Sequence, residues 1–149
     1  MDLGLAENLK YMRAALDEAA KCEPIPTAFC VGCVLVTCFP SDADSPVVLS
    51  TGYSRELPGN THAEANALQK ARQLSREELE ARFPPTAYPA YTLDELLRHT
   101  DVYTTLEPCS VRTSGLAPCA DALIAAGVRR CFIGVGEPDD FVNCEAPRS

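Results

Sequence analysis

Two short segments of this chain each lie between a strand-like apolar run and a helical pattern. The first is Thr61–Glu64, which reads Thr-His-Ala-Glu, and the second runs from Glu107 to a Pro-Cys pair that ends at Cys119. In folds that combine strands and helices, sites form where strands end and helices begin. These two junctions are therefore the expected location of a functional site.

The apolar patterns of the chain predict an α/β fold. Apolar residues spaced four, three and four apart from Leu5 to Leu16 mark one face of a first helix. The order helix, strand, strand, helix, strand, helix, strand favours a mixed sheet with helices on both faces. The short link between the first two strands predicts that they are antiparallel. The predicted strands are 29–36, 47–53, 102–105 and 130–135, and the later helices are 61–82 and 119–126, the last closed by Gly127.

Length predicts a single domain over residues 1–149. A chain of 149 residues can bury one full core and is too short for two ordinary domains. Residues 83–100 contain three prolines and then a short helical patch, so we interpret them as an inserted loop segment packed on the rim. The last residues, 137–149, are polar, and a fifth strand is not evident in them.

Charge and hydropathy argue against two classes of partner. The net charge is −8 and no run is rich in lysine or arginine, which disfavours a nucleic-acid partner because such proteins carry a basic face. No secretory signal opens the chain, and its longest apolar stretch, Phe29–Phe39, is about half of what a membrane-spanning helix needs. We expect a soluble cytoplasmic protein with no membrane partner.

Packing explains most of the eight cysteines. In a reducing compartment, a cysteine in an apolar, strand-like run behaves as a small buried hydrophobe. Four cysteines have that context: Cys30, Cys33, Cys38 and Cys131. The pattern assigns no role to Cys22 or Cys144. Only Cys109 and Cys119 have a context that suggests chemistry.

His62, Cys109 and Cys119 together have the composition of a catalytic zinc site. Three protein ligands leave the fourth position of a tetrahedral zinc ion open for water and lower the pKa of that water to roughly 7. Helix N-termini favour the ionised form of the cysteines, and Pro118 suits the first position of a helix. Glu64 lies two residues from His62 and can carry protons at the open position.

Structural interpretations of the same residues stay open. Thr61 and Glu64 match a capping box, in which the glutamate stabilises a helix start. A histidine at a helix start is more often structural than a ligand, and two cysteines with nine residues between them are a loose metal spacing. A purely structural zinc would need a fourth ligand, for which His99 is the other histidine of the chain. The order of all three motifs, each before a helix, favours the catalytic interpretation.

Taken together, these motifs resemble the cytidine deaminase superfamily. Its signature is His-x-Glu followed by Pro-Cys and a second Cys, and the glutamate is a general acid and base rather than a ligand. The resemblance covers the chain from the first helix to the fourth strand. It implies a three-layer α/β/α sandwich with a mixed, mostly five-stranded sheet, Zn²⁺ as the cofactor and hydrolytic deamination as the reaction.

The wide gap between the two cysteines favours one branch of that superfamily, which the chain resembles: the pyrimidine deaminase of riboflavin biosynthesis. Three segments are most similar to its fungal form: Lys21–Phe29, Ser54–Asn60 and Ser110–Gly115. This resemblance implies a substrate, 2,5-diamino-6-ribitylamino-4(3H)-pyrimidinone 5′-phosphate, and the release of ammonia. Ala28 replaces an asparagine that contacts substrate in bacterial relatives. The fungal protein is often fused to a pseudouridine synthase domain, so we expect a free-standing form or an excised deaminase domain. The motifs that carry the match to this branch are Val31–Val34, Gly52–Tyr53, His62–Glu64, Thr105–Ser110, Pro118–Cys119 and Asp121–Val128.

A phosphorylated substrate needs a cation in this acidic protein. Arg55 and Arg112 are the best placed, because both lie in loops that adjoin the motifs. As solvated surface arginines they would have no such role. The other candidate substrate contacts are the side chains of Asn60 and Glu56 for the base, and the backbone of Leu106 and Glu107 for the leaving amine.

Two other functions fit the same residues. One is deamination of a different small molecule, such as a nucleoside, a free base or a guanine-like ring. The other is a non-catalytic binding or scaffold protein stabilised by zinc, against which Glu64 argues because a structural site has no use for that carboxylate. Relatives of this family commonly self-associate, so we expect a homodimer.

Overall fold

The structure is a computed structural model, which describes residues 5–23, 30–38, 46–57, 62–83, 92–105, 119–135 and 137–144. Within these residues the chain forms five helices and five strands. The helices are α1 (Leu5–Ala19), α2 (Ala63–Arg72), α3 (Arg76–Arg82), α4 (Leu93–Arg98) and α5 (Cys119–Ala126). The strands are β1 (Gly32–Thr37), β2 (Val47–Tyr53), β3 (Thr100–Thr104), β4 (Arg130–Val135) and β5 (Glu137–Cys144).

The strands form one mixed sheet in the order β2-β1-β3-β4-β5. β1 is antiparallel to β2 and to β3, β3 is parallel to β4, and β4 is antiparallel to β5. The prediction that the first two strands are antiparallel is therefore confirmed. β3 is paired on both sides, so Thr104 at its C-terminal end lies between Cys33 and Ile133.

Alternate residues of the central strands are buried against opposite helical layers, as the period of two in a strand requires. Tyr11, Met12 and Ala15 of α1 cover one face of the sheet. The strand residues buried on that face are Val34, Val36, Tyr103 and Phe132. Ala67 of α2, Leu97 of α4 and Leu123 of α5 cover the other face. The strand residues buried there are Cys33, Leu35, Leu49, Val102, Cys131 and Ile133. A helical layer on each side of a mixed sheet is the predicted α/β/α class, which is confirmed.

Two glycines let helices approach the sheet closely. A Cβ atom on Gly32 would overlap the carbonyl oxygen of Ala15 in α1. A Cβ atom on Gly52 would overlap the carbonyl oxygen of Ala63 and lie 2.6 Å from the amide nitrogen of Ala67, both in α2. No side chain fits in either space, so the first turn of α2 lies directly against the end of β2.

The buried face of α1 only partly matches the predicted one. Met12 is buried as expected, but its buried neighbours are Tyr11 and Ala15, whereas Leu9 and Leu16 are half-buried. The small side chain of Ala15 faces the sheet because the helix backbone meets Gly32 there. Close approach to a glycine therefore decides which face of the helix is buried.

The single helix predicted over 61–82 is wrong, because the structure divides it into α2 and α3. The side-chain oxygen of Ser75 accepts a hydrogen bond from the Glu78 amide, and the Glu78 carboxylate accepts one from the Ser75 amide. This capping box starts a new helix. The apolar spacing continues across the break, so spacing alone did not indicate it.

β5 lies in the polar segment where no strand was evident from the sequence. It pairs antiparallel with β4, and the register places Cys144 opposite Cys131. A strand at the edge of a sheet is held by backbone hydrogen bonds, which every residue of β5 except Pro138 can both donate and accept. Because apolar and polar residues do not alternate along β5, the sequence pattern did not indicate a strand there.

Residues 83–100 contribute apolar side chains to the core at both described ends. Phe83 is buried, and α4 starts with a capping box between Thr92 and Glu95. Leu96 and Leu97 are buried in the same cluster as α2 and α5. Residues 84–91 lie outside the described part, so the interpretation as an inserted segment of a single domain stays a prediction. None of the described helices combines the length and the apolar character needed to cross a bilayer.

Candidate active site

The candidate site lies at the edge of the sheet where β2 and β3 end and α2 begins. Tyr53 is the last residue of β2, and its carbonyl oxygen accepts a 2.8 Å hydrogen bond from the side-chain amide of Asn66 in α2. Thr104 is the last residue of β3 and contacts Glu64 in the first turn of α2. The fold therefore brings the His-Ala-Glu segment to the ends of two strands.

His62 is the N-cap of α2. Its backbone is extended, with φ −98° and ψ 136°, and its carbonyl oxygen accepts a 3.0 Å hydrogen bond from the Asn66 amide. The half-buried side chain makes no capping hydrogen bond. Because the imidazole is not used to cap the helix, its position is compatible with a ligand role.

The start of α2 decides between two interpretations of Glu64. A capping box would need Thr61 as the N-cap and Glu64 as the third helical residue. In the structure the N-cap is His62, and Glu64 is the second residue of the helix. Thr61 lies outside the described residues. Glu64 therefore does not have the capping-box position.

Glu64 is instead directed into the fold. Glu64 is only 4% exposed, and its Oε2 atom accepts a 2.7 Å hydrogen bond from the hydroxyl of Thr104. A buried carboxylate is costly unless it is hydrogen-bonded. The Thr104 hydroxyl offsets part of that cost and holds the carboxylate two residues from the predicted ligand His62, which is compatible with the predicted role as a proton carrier.

The predicted ligands are only partly within the described structure. α5 begins at Cys119, as predicted, and packs beside α2 through Leu123, Ala67 and Leu68. Cys109 and the side chain of Cys119 lie outside the described part of the chain. Over the described ranges, no three His, Cys, Asp or Glu side chains cluster closely enough to hold a metal ion. One imidazole and two thiolates nevertheless fit the chemistry of a zinc site with an open position.

His99 is far from this edge. It is the C-cap of α4 and directly precedes β3, whereas Thr104 ends that strand. At about 3.3 Å per residue, the strand separates the two ends by about 13 Å. His99 therefore cannot serve as a fourth ligand beside Glu64, which removes the structural-zinc interpretation that depended on it.

Arg55 follows β2 at the same edge of the sheet as Glu64. Its φ of 61° is a left-handed backbone conformation that residues other than glycine rarely adopt. Its Nη2 atom donates to the Glu23 carbonyl oxygen at 2.7 Å and contacts the Cys22 sulfur at 2.8 Å. Burial raises the pKa of Cys22, and a hydrogen bond with Cys30 adds to the rise, while the charge of Arg55 opposes it.

Glu56 already has two partners in the structure. Its Oε2 atom forms a 2.6 Å ion pair with Lys70 of α2, and its Oε1 atom accepts a hydrogen bond from the Tyr53 amide at 3.3 Å. Both contacts hold the turn after β2 against α2. The other predicted substrate contacts lie outside the described residues: Asn60, Leu106, Glu107 and Arg112.

Two residues at the site were not singled out from the sequence. Thr104 could have been found from strand alternation, because Val102 faces α2 and the residue two positions on faces the same way. Asn66 is fully buried, and its Oδ1 atom has no hydrogen-bond partner among the residues that the structure describes. A buried asparagine on an alanine-rich helix face was the available signal for it.

Residues 5–135 match a family model, the cytidine and deoxycytidylate deaminase zinc-binding region. A diaminohydroxyphosphoribosylamino-pyrimidine deaminase from Schizosaccharomyces pombe is 40% identical over 136 residues. That match covers 91% of this chain, and the chain spans only 28% of the length of the yeast protein.

Solved structures with the same fold include the Aspergillus oryzae Rib2 deaminase, a C-terminal deletion mutant at pH 6.5. It matches with a TM-score of 0.65 and 30% identity, over 87% of this chain and 73% of the other. The same Aspergillus protein in complex with DARIPP matches with a TM-score of 0.64 and 30% identity, over 87% of this chain and 72% of the other.

Proposed function

This chain belongs to the family of the cytidine and deoxycytidylate deaminase zinc-binding region, and from that premise we propose that it hydrolytically deaminates a phosphorylated ribityl-pyrimidine and releases ammonia. The proposed substrate is 2,5-diamino-6-ribitylamino-4(3H)-pyrimidinone 5′-phosphate, an intermediate of riboflavin biosynthesis. The main support for the reaction type is the buried carboxylate of Glu64, which lies two residues from His62 at the start of α2. The 40% identity to the yeast pyrimidine deaminase supports the substrate class.

We propose His62, Cys109 and Cys119 as the residues that hold zinc. When bound with an open position, zinc supplies an activated water at neutral pH. His62 and Cys119 begin two neighbouring helices on one face of the sheet, which supports their convergence. A helix N-terminus favours the thiolate form of a cysteine, which is the form that binds metal.

Glu64 is the proposed proton carrier. It accepts a proton from the attacking water and donates it to the ring nitrogen. It then takes the remaining proton from the hydroxyl added to the ring and donates it to the amine, which leaves as ammonia while the carbonyl forms. Each transfer needs a carboxylate held close to the reacting atoms, and general acid–base groups of this kind typically contribute about 10²- to 10⁴-fold to a rate. The buried position of Glu64 supports this role, because solvent does not compete for its oxygens.

Arg55 is the described candidate for binding the substrate phosphate. Its contacts with Glu23 and Cys22 use only Nη2, and over the described ranges no hydrogen bond is made by Nε or Nη1. Both nitrogens carry N–H donors and the group is always charged, so each can still donate to an anion. Arg112 would supplement it, and the backbone of Leu106 and Glu107 would orient the amine. Asn60 and Glu56 stay proposed contacts to the base.

We also propose that the protein is cytoplasmic and homodimeric and has no nucleic-acid partner. The net charge of −8 supports the exclusion of nucleic acid, because phosphate-backbone binding needs a basic surface. An acidic protein can still bind one phosphate where an arginine is held locally, and Arg55 is held in that way.

The proposed function is tested by measuring ammonia release from purified, zinc-loaded protein. The substrates are the ribityl-pyrimidine phosphate, its dephosphorylated form, cytidine and dCMP. We expect turnover of the first and far weaker turnover of the others. E64Q should lose activity by at least about 10²-fold while zinc stays bound, whereas E80Q, on the exposed face of α3, should match wild type. Wild-type turnover by E64Q would overturn the mechanism, and a preference for cytidine or dCMP would overturn the substrate.

A further inference from the structure

The contact between Thr104 and Glu64 joins two elements far apart in the chain. The hydroxyl of Thr104 lies 2.7 Å from Oε2 of Glu64, and the two residues are 40 positions apart. Thr104 is fully buried, and Glu64 is nearly so. Because an ionised carboxylate can only accept hydrogen bonds, the threonine hydroxyl is the donor.

Thr104 is a rigid donor. It lies in the central strand β3, where it is paired with Cys33 of β1 on one side and Ile133 of β4 on the other. Its β-branched side chain has restricted χ1 freedom. The pairing on both sides fixes the backbone of Thr104, and the restricted χ1 limits the positions that its hydroxyl can take.

Glu64, by contrast, lies in the first turn of a helix and has three rotatable side-chain bonds. Without a fixed partner its carboxylate could adopt several rotamers, and a misplacement of about 1 Å at a catalytic group can cost about 10²-fold in rate. A short hydrogen bond from a rigid strand removes that freedom. The first turn of α2 is itself held in place, since Gly52 lies against Ala63.

We propose that Thr104 is a positioning residue, whose hydroxyl fixes the carboxylate of Glu64 for proton transfer in the deamination reaction. This inference rests on the proposed function of Glu64. Thr104 needs no contact with the substrate for this role. Its hydroxyl, rather than its volume, is the feature that acts, so valine at this position should fill the same space without orienting Glu64.

The kinetic test compares T104V, T104S and T100V in zinc-loaded protein. T104V removes the hydroxyl at nearly constant volume, and we expect kcat to fall by about 10-fold or more, with little change in KM or in bound zinc. T104S keeps a hydroxyl and should recover most of the activity. T100V is the matched control, because Thr100 is equally buried in β3 and bonds to Thr37 and to the Leu96 carbonyl at the opposite end. It should lose stability and keep kcat.

A second measurement does not depend on activity. In urea unfolding, T104V should lower the midpoint of the otherwise wild-type protein, because the buried carboxylate loses a donor. In an E64L background the same substitution should not lower the midpoint, since the acceptor is gone. A crystal structure of T104V, in which we expect the Glu64 carboxylate to be displaced, serves if E64L does not fold.

The outcomes separate the inference from the proposed function. If wild-type protein releases ammonia and T104V has the same kcat, the positioning role is overturned and the proposed function stands. Equal midpoint shifts in both backgrounds, or an unmoved Glu64 carboxylate in T104V, also overturn it. If wild-type protein releases no ammonia from any of the pyrimidines, the proposed function fails, and the positioning role of Thr104 in that reaction fails with it.

Discussion

Gly52 of β2 and Ala63 of α2 meet backbone to backbone, with no room for a side chain on the glycine. Ala63 lies between His62 and Glu64, the predicted ligand and the predicted proton carrier. The position of these two predicted residues relative to the sheet therefore depends on the absence of a single Cβ atom.

G52A should destabilise the protein and disturb the site together. Overpacking of this kind typically costs about 1–3 kcal/mol, and α2 can relieve it only by moving its first turn. We expect a lower urea midpoint and weaker zinc binding. G127A is the control, because Gly127 has a positive φ of 82° after α5 and its replacement costs about 1 kcal/mol through backbone strain. Unchanged zinc affinity in G52A would contradict the prediction.

The two histidines should differ in their effect on zinc. We expect H62N to bind zinc more than about 10-fold more weakly, since loss of even a supporting partner of a ligand costs that much. H99N should bind zinc as the wild type does, because His99 lies at the opposite end of β3. Zinc competition titration against a chromophoric chelator measures both. Equal affinities in the two variants would count against His62 as a ligand.

Arg55 should contribute to the binding of phosphorylated substrate. A charge-assisted hydrogen bond contributes about 1.5–3 kcal/mol, so R55A should raise KM for the phosphorylated substrate by about 10-fold or more. The dephosphorylated substrate should show no such change. R76A, which removes an exposed arginine of α3, is the matched control. A rise in KM that is equal for both substrates would indicate a general effect on the loop.

Asp101 should affect stability without affecting catalysis. Its fully buried carboxylate forms ion pairs with Arg129 at 2.8 Å and Arg130 at 2.9 Å, and its hydrogen bond raises the pKa of Arg129. D101N should cost about 3 kcal/mol, because two partly buried cations lose their carboxylate. Since Asp101 lies near the opposite end of β3 from Thr104, kcat should not change at a temperature where the variant is folded. D94N, on the exposed face of α4, is the control.

Stability should fall at high pH because of two buried tyrosines. Burial raises the pKa of Tyr103, with the charge of Asp101 adding to the effect, and burial followed by the charge of Glu7 raises that of Tyr11. A folded pKa above the unfolded value of about 10 means that the stabilisation is complete below pH about 10 and is lost as the pH rises further.

Urea unfolding at increasing pH measures this loss. Y103F removes the hydrogen bond to Asn8 at every pH, so its stability should be lower throughout. The decline above pH about 10 should, however, be shallower in Y103F than in wild type. An identical decline in both proteins would show that Tyr103 does not contribute to it.

Local sequence patterns determined several elements of this protein directly. β2, β4 and α5 have the predicted bounds, since alternation, helical spacing and the glycine after α5 are contained within each segment. The same local reading placed His62 and Glu64 at a helix start. It missed the break at Ser75, although the Ser-x-x-Glu signal was present, because apolar spacing continued across it.

How those segments meet depends on contacts that local patterns do not encode. The strand order, the pairing of polar β5 with β4 and the hydrogen bond between Thr104 and Glu64 join residues distant in the chain. Such contacts depend on backbone pairing and on close approach at Gly32 and Gly52, neither of which leaves a periodic signal in the sequence. Local patterns in the chain identified the residues that are predicted to carry the chemistry, whereas the packing of α2 on the sheet turns Glu64 towards the interior.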